Sequence, residues 1–305
     1  MLSVGLELLQ AIGWCSYYII EATIKLFIPE RFFYKDISGQ IVLVTGGGSG
    51  IGRLLCKKLA RLGARVVTWD INEKGNQETV NIIKDEGYQA WAYTVDMSIK
   101  EDIYNTAKKT KECVGTVTIL INNAGIVSGS PILETSDERI IKTFEVNSFA
   151  HLWTIKSFLP GMLESKLGHI VSVASVAGHG GAAKLVDYCG SKFAAVGIDE
   201  AFRVELYTQG HSDYIKTTCV SPYYTNTGMF DGVHSKVLPI LEPEYVADRA
   251  VAAILTNREI LLLPWWGMFL LLLKVILPSR GFMKVAQAFG FNCAMDQFTG
   301  RKKTD

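Results

Sequence analysis

The chain has 305 residues, room for one α/β domain of up to about 250 residues plus an extension, and far more than a disulfide-stapled peptide needs. Hydrophobic residues make up 49% and charged residues 20%, below the ~25% usual for soluble domains, and the mean hydropathy is +0.20, so some apolar surface is left to meet lipid or a partner. A net charge of +1 gives no field to draw in nucleic acid, which argues against that class of partner.

The first element is apolar. Residues from Leu8 to Ile20 carry no charge, and the character resumes through Ala22, Ile24, Leu26, Phe27 and Ile28 until Pro29. Glu7, Glu21 and Lys25 interrupt it. A basic start and a small-residue cleavage site are lacking, so the segment reads as a retained membrane anchor over residues 1–30, spanning or lying in one leaflet. Lys25, Arg31 and Lys35 on its C-terminal side would leave the main domain in the cytosol.

Short β-branched runs then alternate with helix-length stretches: Ile41–Thr45, Val66–Trp69, Ala90–Val95, Ile119–Ile121, Ile170–Val173, Lys216–Val220 and Ile260–Leu263. That alternation predicts βαβ units and one α/β domain over residues 38–263, with a doubly wound parallel sheet of about seven strands. Residues 264–305 form a C-terminal extension. Its apolar run from Trp265 to Leu277 is too short to cross a bilayer and reads as an amphipathic lip, covering a pocket or dipping into a membrane face, ahead of a basic tail. Core packing or an oligomer contact is the other reading of that run. The six cysteines are scattered without a C-x-x-C pair, so they read as buried small hydrophobes in a reducing compartment, with no metal site.

Directly after the first strand stands Thr45-Gly46-Gly47-Gly48-Ser49-Gly50-Ile51-Gly52, followed by a helical stretch. A glycine turn between strand and helix lets backbone approach a pyrophosphate, which is held by the N–H groups and positive end of the helix: the dinucleotide-binding, Rossmann-type arrangement. Asp70 closes the second strand, where a carboxylate binds the adenosine ribose hydroxyls and repels a 2′-phosphate, favouring NAD over NADP. Arg53 is the one dissenting charge. Asp96 ends the third strand beside the expected adenine site, and Asn122, Asn123, Ala124 and Gly125 end the fourth, where the ligand crevice should open.

Tyr188 and Lys192 are four residues apart and share a helix face. A phenol with its usual pKa of ~10 is a weak base at neutral pH, and a neighbouring ammonium favours the phenolate. Ser175 follows the fifth strand, and Asn147 lies in a helical stretch between the fourth and fifth strands.

Together with Pro222 and Thr227, these ordered motifs resemble the short-chain dehydrogenase/reductase family over roughly residues 38–263. Pro222-Tyr223 departs from the usual Pro-Gly. The N-terminal segment ending Leu26-Phe27-Ile28-Pro29, with Trp69-Asp70-Ile71-Asn72, His151-Leu152-Trp153-Thr154 and Leu238-Pro239-Ile240-Leu241-Glu242-Pro243, is similar to one membrane-associated branch. That branch holds the epidermal retinol dehydrogenases and the lipid-droplet 17β-hydroxysteroid dehydrogenases.

The resemblance implies NAD-dependent oxidation of a lipophilic alcohol, retinol first and a steroid alcohol next, at an endoplasmic reticulum membrane or lipid droplet. Tyr188 would be the base, Lys192 would lower its pKa and bind the nicotinamide ribose, Ser175 would hold the substrate oxygen, and Asn147 would order a proton-relay water. Gly46, Ser49, Gly50, Ile51, Gly52, Asp70, Asp96, Asn123, Ala124, Gly125, Tyr188, Lys192 and Thr227 would contact the cofactor. In this family helices within Val117–Thr154 line a homodimer contact, but nothing in that stretch fixes the oligomer. The rival readings are an NADPH-dependent carbonyl reductase and a nonenzymatic lipid-surface protein. Pocket-lining residues are expected within His179–Val186 and Tyr223–Val237.

Overall fold

The computed structural model describes residues 2–300, which divide into one unit up to Asp36 and a second from Ile37 onward. The basic tail from Arg301 lies outside the described residues.

The first unit is helix α1 (Leu2–Lys25) and a short turn over Glu30–Phe33. At 24 residues α1 is ~36 Å long, enough to reach across a hydrocarbon core, yet no helix among the described residues is both long and apolar enough to cross a membrane. Glu7, Gln10, Ser16 and Glu21 dilute its apolar character. Its large side chains are exposed around the helix, among them Leu9, Ile12, Ile19 and Ile20, and the rings of Trp14, Tyr17 and Tyr18 pack on one another.

The second unit follows the alternation read from the sequence: β1 (Ile41–Thr45), α2 (Gly50–Arg61), β2 (Arg65–Asp70), α3 (Glu73–Asp85), β3 (Ala90–Thr94), α4 (Lys100–Cys113) and β4 (Ile119–Asn122). After β4 come α5 (Asp137–Phe144), a π-type turn over Glu145–Phe149, α6 (Ala150–Ser165), β5 (Gly168–Val173), α7 (Val186–Thr208) and β6 (Ile215–Pro222). The order closes with α8 (Pro243–Leu255), β7 (Ile260–Leu263), α9 (Gly267–Ile276) and α10 (Ser279–Ala288). The sheet has seven strands in the order β3-β2-β1-β4-β5-β6-β7, all paired in parallel.

Both faces of the sheet are covered, so strand residues are buried on either side, as a parallel sheet requires. Val42 and Val44 of β1 point into a core built with Leu55 and Leu59 of α2, Ile83 of α3 and Ile254 of α8. The intervening Ile41 and Leu43 point into the opposite core, with Ile103 of α4 and Phe158 and Met162 of α6. Cys56, Cys189 and Cys219 are buried as expected, but Cys15, Cys113 and Cys293 are exposed, which corrects the reading of all six as core residues. Cys113 ends an amphipathic helix, where the side-chain direction depends on helix phase rather than residue type.

Helix α7 carries polar groups on its sheet-facing side. Asp199 is 2% exposed and is bonded to Arg203, whose Nε donates to Thr217 of β6 at 2.9 Å and whose Nη1 lies 3.7 Å from Glu259. Ser172 of β5 and Cys219 of β6 also face it. Burial pushes the Asp199 carboxyl up to about 6, against the opposing pull of Arg203 and Ser172. Between the ordinary carboxylate range and pH 6 the folded state binds the extra proton, so this site favours folding at low pH and loses that contribution as pH rises through about 6. Lowering the pH from 7 to 5 should therefore raise the unfolding free energy by about 1 kcal/mol through this residue. Urea titrations of the wild type and Asp199→Asn should show the stability difference between them shift by about 1 kcal/mol in favour of the wild type on going from pH 7 to pH 5, the buried histidines titrating equally in both.

Candidate active site

The strand order reverses between β1 and β4, and a cleft opens beyond the carboxyl ends of the strands. The loops of β1 and β4 are knit together there. The Thr45 hydroxyl accepts from the N–H groups of Asn123 at 3.0 Å and Ala124 at 3.1 Å, while Asn123 Nδ2 donates to the carbonyls of Thr45 at 2.9 Å and Gly46 at 3.2 Å. Gly46 has φ +68°, and a Cβ on Gly52 would stand 2.0 Å from the Gly46 carbonyl oxygen, so the loop is closed against side chains. Gly50, Ile51 and Gly52, the first turn of α2, line the cleft and leave the unpaired N–H groups of a helix start for a phosphate. Thr227 faces Gly50 across it, 3.3 Å from where a Cβ would be. The shape and donors fit a dinucleotide.

Asp70 stands at the end of β2 with both carboxylate oxygens fixed: the N–H of Gly48 donates to one and that of Asn72 to the other, each at 2.9 Å. Arg53 is held beside them. Its Nη2 donates to the Gly48 carbonyl at 2.6 Å, the Gly75 carbonyl at 3.2 Å and Glu78 at 2.8 Å, and its Nε donates to Thr79 at 3.1 Å. Asp96 lies two residues past β3. Burial pushes its carboxyl up, but the hydroxyl and N–H of Ser98 and the Lys142 ammonium at 3.5 Å outweigh that and leave it below the usual carboxylate range.

At the other end of the cleft Ser175, Tyr188 and Lys192 converge. Ser175 accepts from the Ala177 N–H at 3.1 Å, donates to the Pro222 carbonyl at 3.3 Å, and lies within hydrogen-bond reach of the Tyr188 hydroxyl. Lys192 is 4% exposed and its Nζ donates to the Val173 carbonyl at 2.9 Å, at the end of β5. Burial pulls the ammonium down to about 8. The expected lowering of the Tyr188 phenol by Lys192 is not found among the protein groups alone: burial raises it, opposed by Ser175, and the Lys192 Nζ lies 5.8 Å over the ring face. Two turns of buried helix desolvate both groups before any ligand arrives.

Asn147 sits in the π-type turn, fully buried, with its side chain turned toward the β4 loop. Its Oδ1 accepts from the Ile126 N–H at 2.8 Å, and its Nδ2 donates to the Ile126 carbonyl at 2.9 Å and to Ser191 at 3.0 Å. A Cβ on Gly125, which lines the cleft, would stand 3.4 Å from Asn147 Oδ1 and 3.5 Å from Lys192 Nζ, so Asn147 sits behind the cleft wall beside Lys192 rather than lining it.

The remaining wall is apolar. Both anticipated loops supply it, through Gly180, Ala182 and Leu185 and through Tyr224, Met229 and Phe230. The lip contributes Leu270, Leu271 and Lys274 of α9, whose Nζ also donates to the His179 carbonyl at 2.7 Å. Phe282 and Ala286 of α10 and Phe291 were not foreseen; their i, i+4 spacing at 282 and 286 was the available signal. The opposite side of α9 exposes Met268, Phe269, Leu272, Val275 and Ile276.

A family model described as short chain dehydrogenase matches residues 40–237. The chain belongs to the short-chain dehydrogenase family. It is 44% identical over 296 residues to human epidermal retinol dehydrogenase 2 (Homo sapiens), covering 96% of this chain and 95% of that one. It is 45% identical over 275 residues to human estradiol 17-beta-dehydrogenase 11, covering 90% of each. Mouse 17-beta-hydroxysteroid dehydrogenase 13 (Mus musculus) is 44% identical over 259 residues, with 85% of this chain and 84% of that one covered. Among solved structures, a metagenomic short-chain oxidoreductase in complex with NADP aligns with TM-score 0.63 and 26% identity, covering 75% of this chain and 97% of that one. A Burkholderia phymatum short chain dehydrogenase/reductase in complex with NAD shares the fold at TM-score 0.72 and 24% identity, covering 89% and 98%. The chain is thus a short-chain dehydrogenase/reductase, an oxidoreductase of a family that binds a nicotinamide cofactor, and its relatives are named as retinol and hydroxysteroid dehydrogenases.

Glycine geometry separates two substitutions. Gly52→Ala places a methyl group on the Gly46 backbone and should abolish measurable cofactor binding and lower the melting temperature. At Gly125 the nearest atoms to a new Cβ are side-chain atoms at 3.4 and 3.5 Å, ordinary contact, so Gly125→Ala should keep both the fold and binding. Isothermal titration with NAD and thermal melts of the two variants check this.

Proposed function

We propose that the chain oxidises the hydroxyl of a lipophilic alcohol with NAD+, retinol foremost and a steroid alcohol next. The observation that carries this is the convergence of Ser175, Tyr188 and Lys192 on one end of a cleft, with Asn147 directly behind Gly125, where the adjoining wall opposite the dinucleotide end is largely apolar. The relatives named as retinol and estradiol dehydrogenases support the substrate class.

In this reading Ser175 and the Tyr188 hydroxyl hold the substrate oxygen between them. Tyr188, as phenolate, takes the hydroxyl proton. Lys192, a buried cation, stabilises the phenolate electrostatically and binds the nicotinamide ribose. The bound cofactor supplies the hydride acceptor, and the protein contributes alignment and exclusion of water. Asn147 holds the loop after β4 through both backbone groups of Ile126 and in this reading orders a water that relays the proton onward. Tyr188→Phe should reduce turnover by at least a thousandfold while leaving the NAD dissociation constant unchanged. Steady-state assays against retinol, steroid alcohols and long-chain alcohols, paired with NAD titration, decide it. Appreciable residual activity would overturn the assignment.

NAD is preferred over NADP because Asp70 presents a fixed carboxylate at the ribose end of the cleft while Arg53, the one nearby guanidinium, is engaged by Gly48, Gly75, Glu78 and Thr79. Asp70→Ala should narrow the preference at least tenfold, read as the ratio of kcat/KM with the two cofactors. A wild type that favours NADPH and carbonyl reduction would reverse the reading.

The site works at a lipid surface, an endoplasmic reticulum membrane or a lipid droplet, with the catalytic unit on the cytosolic side. Helix α1 exposes apolar and aromatic side chains without the hydropathy of a spanning segment, which suits a helix lying in the interface. The outward side of α9, with Trp265 beside it, offers a second apolar contact. Flotation with phospholipid vesicles should recover the full chain, and a chain beginning at Asp36 should float markedly less.

A further inference from the structure

Beyond α10 the chain runs back over the alcohol side of the cleft as a strap, Phe291–Gly300. Its Ala294 and Met295, each 3% exposed, join Val127, Leu185, Tyr188 and Val233 in one apolar cluster. Three backbone hydrogen bonds fasten it to the loop between β6 and α8: His234 N–H to the Ala294 carbonyl at 3.0 Å, and the N–H groups of Thr299 and Gly300 to the Asp231 carbonyl at 2.8 and 3.2 Å. Lys184, in the loop before α7, reaches Asp296 at 2.7 Å.

Two glycines make room for the strap. Gly129, in the loop after β4, has φ +72°, and a Cβ there would stand 2.0 Å from Cε1 of Phe298. Gly232 has φ +82°, and its Cβ would stand 1.9 Å from the Gln297 carbonyl oxygen. The Phe298 ring sits 6.4 Å from that of Phe230, which in turn meets the Tyr188 ring edge-on at 5.7 Å and 81°. Phe230 lines the cleft and Phe298 does not. The strap therefore touches the reacting tyrosine through an intermediary.

We infer that Phe298, seated in the Gly129 notch, is a positioning residue that holds Phe230 against Tyr188 and so sets the width of the pocket that receives a bulky alcohol. This rests on the alcohol dehydrogenase reading above. The physical reason is that the Phe230 ring packs among those of Tyr224 at 5.0 Å, Tyr188 at 5.7 Å and Phe298 at 6.4 Å, and Phe298 is the member of that set contributed by the strap, so losing it leaves a void into which the Phe230 ring can shift. Removing that support widens the pocket while leaving in place the glycine loop after β1 and Asp70 at the end of β2.

The test uses the full chain. Phe298→Ala should raise KM for a bulky alcohol such as retinol at least fivefold, while KM for a short secondary alcohol and the NAD dissociation constant stay within twofold. Phe298→Leu should recover most of the loss. Gly129→Ala should reproduce the KM split by pushing the ring out of its notch, and combining it with Phe298→Ala should do less damage than the product of the two single changes, because the two act on one contact. A stability loss with the same KM ratio between large and small alcohols would reduce the strap to a structural brace and overturn the inference. Hydrogen exchange separates this from failure of the enzyme assignment. Phe298→Ala should speed exchange at residues 228–234 whether or not any alcohol is turned over, and unchanged exchange there would overturn the inference even in an active enzyme. A wild type that oxidises no alcohol but shows the exchange effect would instead overturn the proposed activity.

Discussion

An ammonium group with almost no contact with water is the constraint on which the reactive half of the molecule depends. Lys192 is held at the end of β5 by one carbonyl acceptor, and it remains a cation at neutral pH even though burial has brought it down to about 8. A charge in that position is tolerated only where the surrounding polar groups are fixed. Helix α7 fixes them from one side by aligning Tyr188, Lys192 and Asp199 on its sheet-facing surface, and the π-type turn fixes them from the other through Asn147 and Ser191. The same burial raises the Tyr188 phenol. Burial thus disfavours the charged form of both groups, and the ammonium lies over the face of the tyrosine ring.

Much of this was legible from residues alone. The β-branched runs located all seven strands to within a residue or two; for the central β1 and β4, buried along their whole length, the run is almost wholly apolar. The glycine loop and Asp70 announced the cofactor end for the same kind of reason: close backbone approach excludes side chains, and only glycine satisfies that. Other features had no local signature. Nothing in Glu145–Phe149 distinguishes a π-type turn from ordinary helix. The direction of Arg53 depends on Gly75, Glu78 and Thr79, contributed by the next helix. The strap became visible only once Gly129 and Gly232, more than a hundred and more than fifty residues away respectively, were seen beside Phe298 and Gln297.

The C-terminal extension also proved to be more than a lip. The sequence suggested a single apolar segment that covered a pocket or faced a membrane, and α9 has two sides, one lining the cleft and the other exposed. Leu270 and Leu271 face the cleft, while Phe269, Leu272 and Val275 face outward. The inner side of α9 lines the same cleft as Phe282 and Ala286 of α10.

The Asp70 carboxylate has a consequence for how the two halves of the cleft receive their ligands. With each oxygen bonded to a backbone N–H, its rotamer is set by the protein's own backbone, and the glycine loop beside it leaves no room for side chains. The dinucleotide end is a rigid mould. The alcohol end is assembled from loops, a two-sided helix and a returning chain terminus. Any adjustment to ligand shape is therefore confined to one half of the cleft, so the fold can change its alcohol by altering loop and tail residues while the redox machinery stays as it is.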